Sequence, residues 1–205
     1  MYSTLPSFVL GFHGCDESVV EDIICGRTTL RPSENDYDWL GHGAYFWEND
    51  PARALEYAEL LKMYPHRGHG AITKPAVLGA VIDLGHCLNL MEAAALRLVH
   101  SGYISLSNSV KIRGDRLPEN TRPDVGGISL IRQLDCAVIE ILHKGMRVEG
   151  ERPFDTVRGL FLEGKELYPN AGFREKNHIQ ICVRNPNCIK GFFIPRQPDP
   201  QHPLP

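Results

Sequence analysis

Apolar residues recur along this chain with two different spacings, and each spacing predicts an element. Ser7 to His13 is an apolar run rich in Phe, Val and Leu, and predicts a strand. Asp16 then stands where a helix N-cap would, ahead of Val19, Val20, Ile23 and Ile24 at helical spacing, with Gly26 as the stop. Asp50 followed by Pro51 predicts a second helix start, with Asp at the cap and Pro in the first turn. That helix carries ARALEYAELLKMY, with Leu55 sharing a face with Ala58 or Glu59. Pro75 to Leu84 predicts a strand, and Asn89 is placed to cap a short helix through Val99. Residues 128–142 read as a helix, with a strand as the alternative after Cys136. The last third predicts three strands, Asp155 to Leu162, Asn177 to Val183 and Cys188 to Ile194. Asn185, Pro186 and Asn187 form the turn between the last two. Strands and helices mix early and strands follow one another late, so the predicted class is α+β with a largely antiparallel sheet.

Composition narrows what such a domain can be. The chain has 205 residues, of which 42% are hydrophobic and 23% charged, enough for one ordinary core without staples. The net charge of −3 excludes a polybasic nucleic-acid binder that works by bulk charge, but not an enzyme with a local basic patch. No apolar run approaches the ~20 residues that span a bilayer, and the N-terminus lacks the basic start of a signal peptide. A cytoplasmic protein with no membrane partner is expected. PRQPDPQHPLP, which begins at Pro195, is too rich in proline to join a sheet or helix. The expected organisation is a folded domain over 1–194 and a proline-rich mobile tail over 195–205.

No pair of closely spaced cysteines marks a zinc site, and no metal is expected. The six cysteines read as free thiols, with a disulfide between Cys182 and Cys188 as the alternative, since these two flank the late turn. His66 and His69 lie in a Pro/Gly loop and read as exposed loop residues rather than metal ligands. There is no phosphate-binding GxxxxGK[ST] loop, and Gly41-His42-Gly43 lacks the third glycine and the strand-to-helix setting of a dinucleotide fingerprint.

Three segments carry candidate chemistry. Gly11-Phe12-His13-Gly14 puts a histidine at a strand end, where it can donate to a ligand hydroxyl, beside a glycine that lets a ligand approach the backbone. In GHGAYFWENDPARALEYA, Tyr45 on a strand and Tyr57 on the following helix can face each other and sandwich a flat, cationic heterocycle. Core packing is the alternative for these aromatics. In FREKNHIQICVRNPNCIKGFF, strand alternation puts Ile179, Ile181 and Val183 on one face and His178, Gln180 and Cys182 on the other.

The ordered set resembles the ADP-ribosyltransferase superfamily, in its His-Tyr-Glu group of diphtheria-toxin-like and poly(ADP-ribose)-polymerase-like enzymes. His13-Gly14 is similar to that group's first motif. Ser33 and Gly41-His42-Gly43-Ala44-Tyr45-Phe46 are similar to its second, with Tyr57 as the second stacking tyrosine. Gln180 falls where the group's third motif has Glu. The resemblance implies a split antiparallel β-sheet core with flanking helices, which grips NAD as co-substrate. It implies NAD contacts from His13, Gly14, Ser33, Tyr45, Phe46, Arg53 and Tyr57, with Arg31 or Arg53 on the pyrophosphate. Ala54 stands near the place of a carboxamide-binding serine.

The implied activity is mono-ADP-ribosylation of a macromolecular acceptor, RNA, DNA or protein, with release of nicotinamide. Gln180 can hold a ribose hydroxyl but has no charge and cannot act as a base, so chain elongation is not expected. Glu163 and Glu175 are the candidate carboxylates for orienting or deprotonating the acceptor. Lys165, Tyr168, Arg174 and Lys176 stand in the same loop, as a set that can bind phosphates and stack a base. The chain is also similar to the transferases of bacterial phage-defence toxin–antitoxin systems, which implies an intracellular toxin with an antitoxin partner. An NAD glycohydrolase and an inactive NAD or ADP-ribose-binding module are the alternatives.

Overall fold

In the computed structural model, which describes residues 8–64, 72–121 and 131–202, one seven-stranded sheet organises the chain. Its strands are β1 (Phe8–Asp16), β2 (Ala44–Glu48), β3 (Pro75–Asp83), β4 (Cys87–Asn89), β5 (Thr156–Phe161), β6 (His178–Val183) and β7 (Ile189–Phe193). Their order is β4-β5-β6-β2-β1-β3-β7. Every described pairing is antiparallel except the short β4–β5 edge. The helices are α1 (Glu17–Ile24), α2 (Pro51–Met63), α3 (Ala93–Arg113) and α4 (Gln133–Val148). The α+β class and the mostly antiparallel sheet stand as expected. Among the described residues no helix is long and apolar enough to cross a membrane.

The two aspartate caps form as the sequence predicts. Asp16 accepts from the Ser18 N–H at the start of α1, and its second oxygen accepts from Thr73 and Lys74 ahead of β3. Asp50 accepts from the Arg53 N–H, with Pro51 in the first turn of α2. Two expectations need correction. His13 lies within β1 rather than at its end, because pairing with β3 continues to Asp16 opposite Pro75. Asn89 does not cap a helix: its side chain bonds Glu92 and Met91, and α3 starts at Ala93 and runs on to an αL Gly114. The expected turn after β6 forms at 186–188, and the chain then crosses over so that β7 pairs with β3 at the far edge. The six cysteines are free thiols, as the sequence predicts, and the alternative Cys182–Cys188 disulfide is not formed. The helix reading of 128–142 holds from Gln133 and extends to Val148; its start lies outside the described residues, as do His66 and His69.

The sheet has two faces, and α1 packs on one of them. This face holds Phe46, Ala80, Ile82, Ile181 and Val183 in one cluster and Cys15, Val20, Ile23 and Leu78 in the next. The other face is shared. Helix α2 covers β1 and β3 through Phe12, Trp47 and Ala54, while α4 covers β5 and β6 through Ile139, Val157 and Cys182. Between these two helices the middle of the sheet keeps only partial cover.

Helix α2 approaches β1 very closely. It buries small residues, Ala54 and Ala58, and leaves Leu55 and Tyr57 partly exposed. A Cβ on Gly14 would stand 1.9 Å from the Ala54 carbonyl oxygen, a backbone atom that cannot swing aside. The space over this glycine is therefore filled by the helix rather than left for a ligand. Gly14→Ala should lose about 2–4 kcal/mol of stability, measured by urea unfolding. A loss below about 0.5 kcal/mol would mean α2 does not sit as described.

Candidate functional site

Strands β1 and β2 pair over only two positions, Gly11 with Glu48 and Phe12 with Trp47. Beyond Phe12 they part, although both continue: β1 on β3 and β2 on β6. The sheet is thus split at its centre. The split has polar consequences that strand geometry fixes. The Asn49 N–H bonds the Leu10 carbonyl, so Leu10 faces β2; by alternation Phe12 and Gly14 do too. The Gly14 N–H and C=O therefore point into the split, where β2 offers them no register partner.

His13 bridges the opening. Its Nδ1 stands 2.8 Å from the Tyr45 carbonyl oxygen. A carbonyl can only accept, so Nδ1 carries the proton and Nε2 of the neutral ring is an acceptor. Burial pushes the His13 pKa down, which keeps the ring neutral despite the opposing effect of that carbonyl. The sequence-based role is corrected accordingly: toward a ligand hydroxyl His13 accepts rather than donates.

Tyr45 and Trp47 alternate onto the partly covered face, and Phe46 turns to the other. The Tyr45 hydroxyl accepts from the Leu40 N–H and donates to the Gly41 carbonyl, closing the loop that carries Gly41 at φ +81°. Its ring packs beside Leu40 and Cys182, and burial raises its pKa well above the usual tyrosine value. Tyr57 reaches the same face from α2 and contacts Trp47, with ring centroids 5.0 Å apart. The second motif's two tyrosines thus lie on one face of the sheet, with Trp47 in contact with Tyr57.

Gln180 stands opposite Trp47 in the β2–β6 register. Its Oε1 accepts from Trp39 Nε1 at 2.6 Å, which leaves the amide N–H groups for a ligand. Trp39 packs on Phe161, and the Arg132 guanidinium lies over both rings. Trp39 was missed from the sequence, and Trp47 was seen only as part of the aromatic run, with no role assigned. Trp47 was open to a period-2 count from Tyr45, but the Trp39–Gln180 bond spans 141 positions and leaves no local trace.

Other proposed site residues fall elsewhere. Phe46 has no exposed surface and sits in the core of the opposite face, so it is corrected to a core residue. Arg53 is nine-tenths buried, and its guanidinium is held by Glu56 and, at 2.9 Å, by Glu163. With both carboxylates on it, it is not available to a pyrophosphate, and Glu163 is tied up as its partner rather than free as a base. Glu175 is exposed and accepts from the Lys165 N–H within its own hairpin. Ser33 bridges Gly43 by backbone bonds and accepts from the Asn35 side chain, so it shapes the loop before β2.

A second network anchors that loop. Glu140 of α4 accepts from the His42 N–H and from Arg184 Nη1 at 2.5 Å, and its other oxygen takes Arg184 Nη2. Burial pushes the Glu140 pKa up, but Arg184 and the His42 N–H and ring outweigh it and hold the carboxyl below its usual range. Among the described residues no group of three or more His, Cys, Asp or Glu side chains could hold a metal ion.

No protein-family model matches the chain, and no solved structure matches it. It is 30% identical over 203 residues to the uncharacterised protein MJ0359 of Methanocaldococcus jannaschii, a match covering 87% of this chain and 83% of that protein. The chain belongs to the family of that archaeal protein.

The depressed Glu140 pKa has a definite sign. Its stabilisation is full above the unfolded carboxylate value, about 4.3, and is lost as pH falls below that through the lower folded value. Glu140→Gln should lower stability at pH 7 by about 1–3 kcal/mol and flatten the fall in stability below pH ~4.3. An unchanged acid slope in urea-unfolding curves would remove Glu140 from the acid response.

Proposed function

We propose that the chain is an NAD-dependent mono-ADP-ribosyltransferase whose NAD site is the split between β1 and β2. One observation carries the reading. Residues far apart in sequence, His13, Gly14, Tyr45, Tyr57 and Gln180, converge on three adjacent central strands and the helix after β2, around a strand edge left open in mid-sheet. An open edge inside a sheet leaves backbone polar groups that need a partner. A primary carboxamide, with one acceptor and a pair of donors, matches the N–H and C=O of Gly14.

Each remaining group then has a task that suits its chemistry. His13 accepts from a ribose hydroxyl through Nε2. Tyr45 and Tyr57 flank the nicotinamide ring, whose positive charge favours aromatic faces. Gln180 donates its amide N–H to the hydroxyl of the nicotinamide-side ribose. Breaking the ribosyl–nicotinamide bond passes through an oxocarbenium-like state, so fixed geometry supplies most of the rate. A neutral Gln180 adds no charge to that state and cannot deprotonate a ribose hydroxyl for a second round, which fits transfer of a single unit.

A macromolecular acceptor is favoured over water by the hairpin that precedes β6. Backbone bonds from Leu167 to Phe173, Glu175 to Lys165 and Lys176 to Glu163 build it, and it presents exposed Leu167, Tyr168 and Phe173. The missing carboxylate at 180 favours a second reading, an ADP-ribose-binding module without turnover.

Incubation of the purified protein with radiolabelled NAD and a cell lysate separates these. Label retained on polymer supports the transferase, and digestion by nuclease or by protease then identifies the polymer. Free ADP-ribose alone indicates a glycohydrolase, and no consumption of NAD indicates the binder. His13→Ala and Tyr45→Ala should each weaken NAD binding at least about tenfold by calorimetry, whereas Gln180→Ala should reduce turnover more than affinity. Unchanged affinity in folded His13→Ala protein would overturn the site.

A further inference from the structure

Three buried polar atoms without partners come from elements that meet near Gln180, the register partner of Trp47. They are Trp47 Nε1, Arg53 Nε and His178 Nε2. Trp47, Arg53 and His178 are each at least nine-tenths buried. They come from three elements, β2, α2 and the start of β6. Trp47 and His178 have ring centroids 6.0 Å apart, and the Arg53 charge is felt at His178. An unpaired buried polar atom is costly, so several in one place mark a spot where another polar group belongs.

The protonation pattern says which kind of group. His178 Nδ1 lies 2.7 Å from the Lys176 carbonyl oxygen, so it carries the proton and Nε2 offers a lone pair. Phe161 stacks on the ring at 5.4 Å and fixes its plane. Trp47 Nε1 and Arg53 Nε are donors only. The set therefore combines two donors that suit an oxygen with one acceptor, His178 Nε2, that suits a proton on it. A hydroxyl or a water satisfies both kinds at once; a carboxylate, which only accepts, does not.

We propose that Trp47, Arg53 and His178 form the acceptor subsite of the transferase, holding a hydroxyl-bearing nucleophile whose proton passes to His178 Nε2. This rests on the function proposed above and supplies the base that Gln180 cannot be. Strand geometry supports the placement: Gln180 and His178 share a face of β6, roughly 6.6 Å apart along the strand. In the step, the bond from ribose C1′ to the nicotinamide nitrogen breaks and its electron pair returns to the ring. The acceptor oxygen bonds C1′, and its proton moves to Nε2, from which it passes to solvent. Burial keeps His178 neutral and ready to accept. The charged groups around it are Asp50 and Arg53 of α2 and Glu163 of the hairpin, with the Lys176 carbonyl on Nδ1; Trp47 and Phe161, from β2 and β5, carry no charge.

The test uses NAD alone, with water as the hydroxyl acceptor, and follows nicotinamide release from pH 5 to 9 beside NAD affinity. His178→Asn should cut turnover by about 10²-fold or more while affinity stays within about twofold, and the acid limb of the wild-type profile should vanish. Trp47→Phe keeps a ring but removes the N–H, and should lower turnover several-fold with affinity held. If His178→Asn binds NAD and turns over at the wild-type rate with the same profile, the acceptor subsite is overturned and the transferase reading stands. If the wild-type protein neither binds nor consumes NAD with water or with lysate, the transferase reading itself falls.

Discussion

The bond from His13 to the Tyr45 carbonyl holds the architecture at its weakest point. Strands β1 and β2 stop pairing after Phe12 and Trp47, and a sheet that parts in its middle must satisfy two inner edges by other means. On the β2 side a side chain replaces the missing backbone donor, at 2.8 Å. On the β1 side Gly14 keeps its N–H and C=O pointing into the gap. The histidine is thus both a structural bridge and, through its free Nε2, a polar group presented to whatever enters. Both roles need one tautomer, which the carbonyl selects.

The rest of the fold keeps that opening in place. Helix α2 sits on Gly14 so closely that only glycine fits, and the same helix brings Tyr57 against Trp47 and Arg53 onto Glu163. Glu140 and Arg184 clamp the loop before β2 from the other side, and the Tyr45 hydroxyl ties that loop to its own strand. Arg53 with Glu163 joins α2 to the hairpin ahead of β6. Each element around the split is therefore fixed by a charged or hydrogen-bonded link.

Local signals carried much of this. Both aspartate caps, Pro51 and the apolar runs of β1, β3, β5 and β6 were legible because caps and alternation act over a few residues. The candidate residues His13, Tyr45, Tyr57 and Gln180 were legible as an ordered set, which the fold places on adjacent strands β1, β2 and β6 and on α2, with the His13 ring against Phe46. What was not legible was non-local. The turn at 185–187 was legible, but not that β7 finds its partner in β3 across the sheet. Asn89 looked like a cap but spends its side chain on Glu92 and Met91. Phe46 was grouped with its aromatic neighbours, although alternation alone puts it on the opposite face from Tyr45 and Trp47. Arg53 looked like a free cation until Glu163, 110 positions away, was found beside it. His178 showed no special signal, because its tautomer is set by the Lys176 carbonyl and its burial by Trp47 and Phe161.

The central claim is that the split between β1 and β2 receives NAD, and the Gly14 amide reports on it most directly. Titration of NAD into isotopically labelled protein, followed by amide NMR, should shift the Gly14 resonance and those of His13 and Tyr45 ahead of all others, with a single saturation curve. A Gly14 resonance that stays fixed while NAD binds elsewhere, or a spectrum that NAD leaves unchanged, would contradict the account.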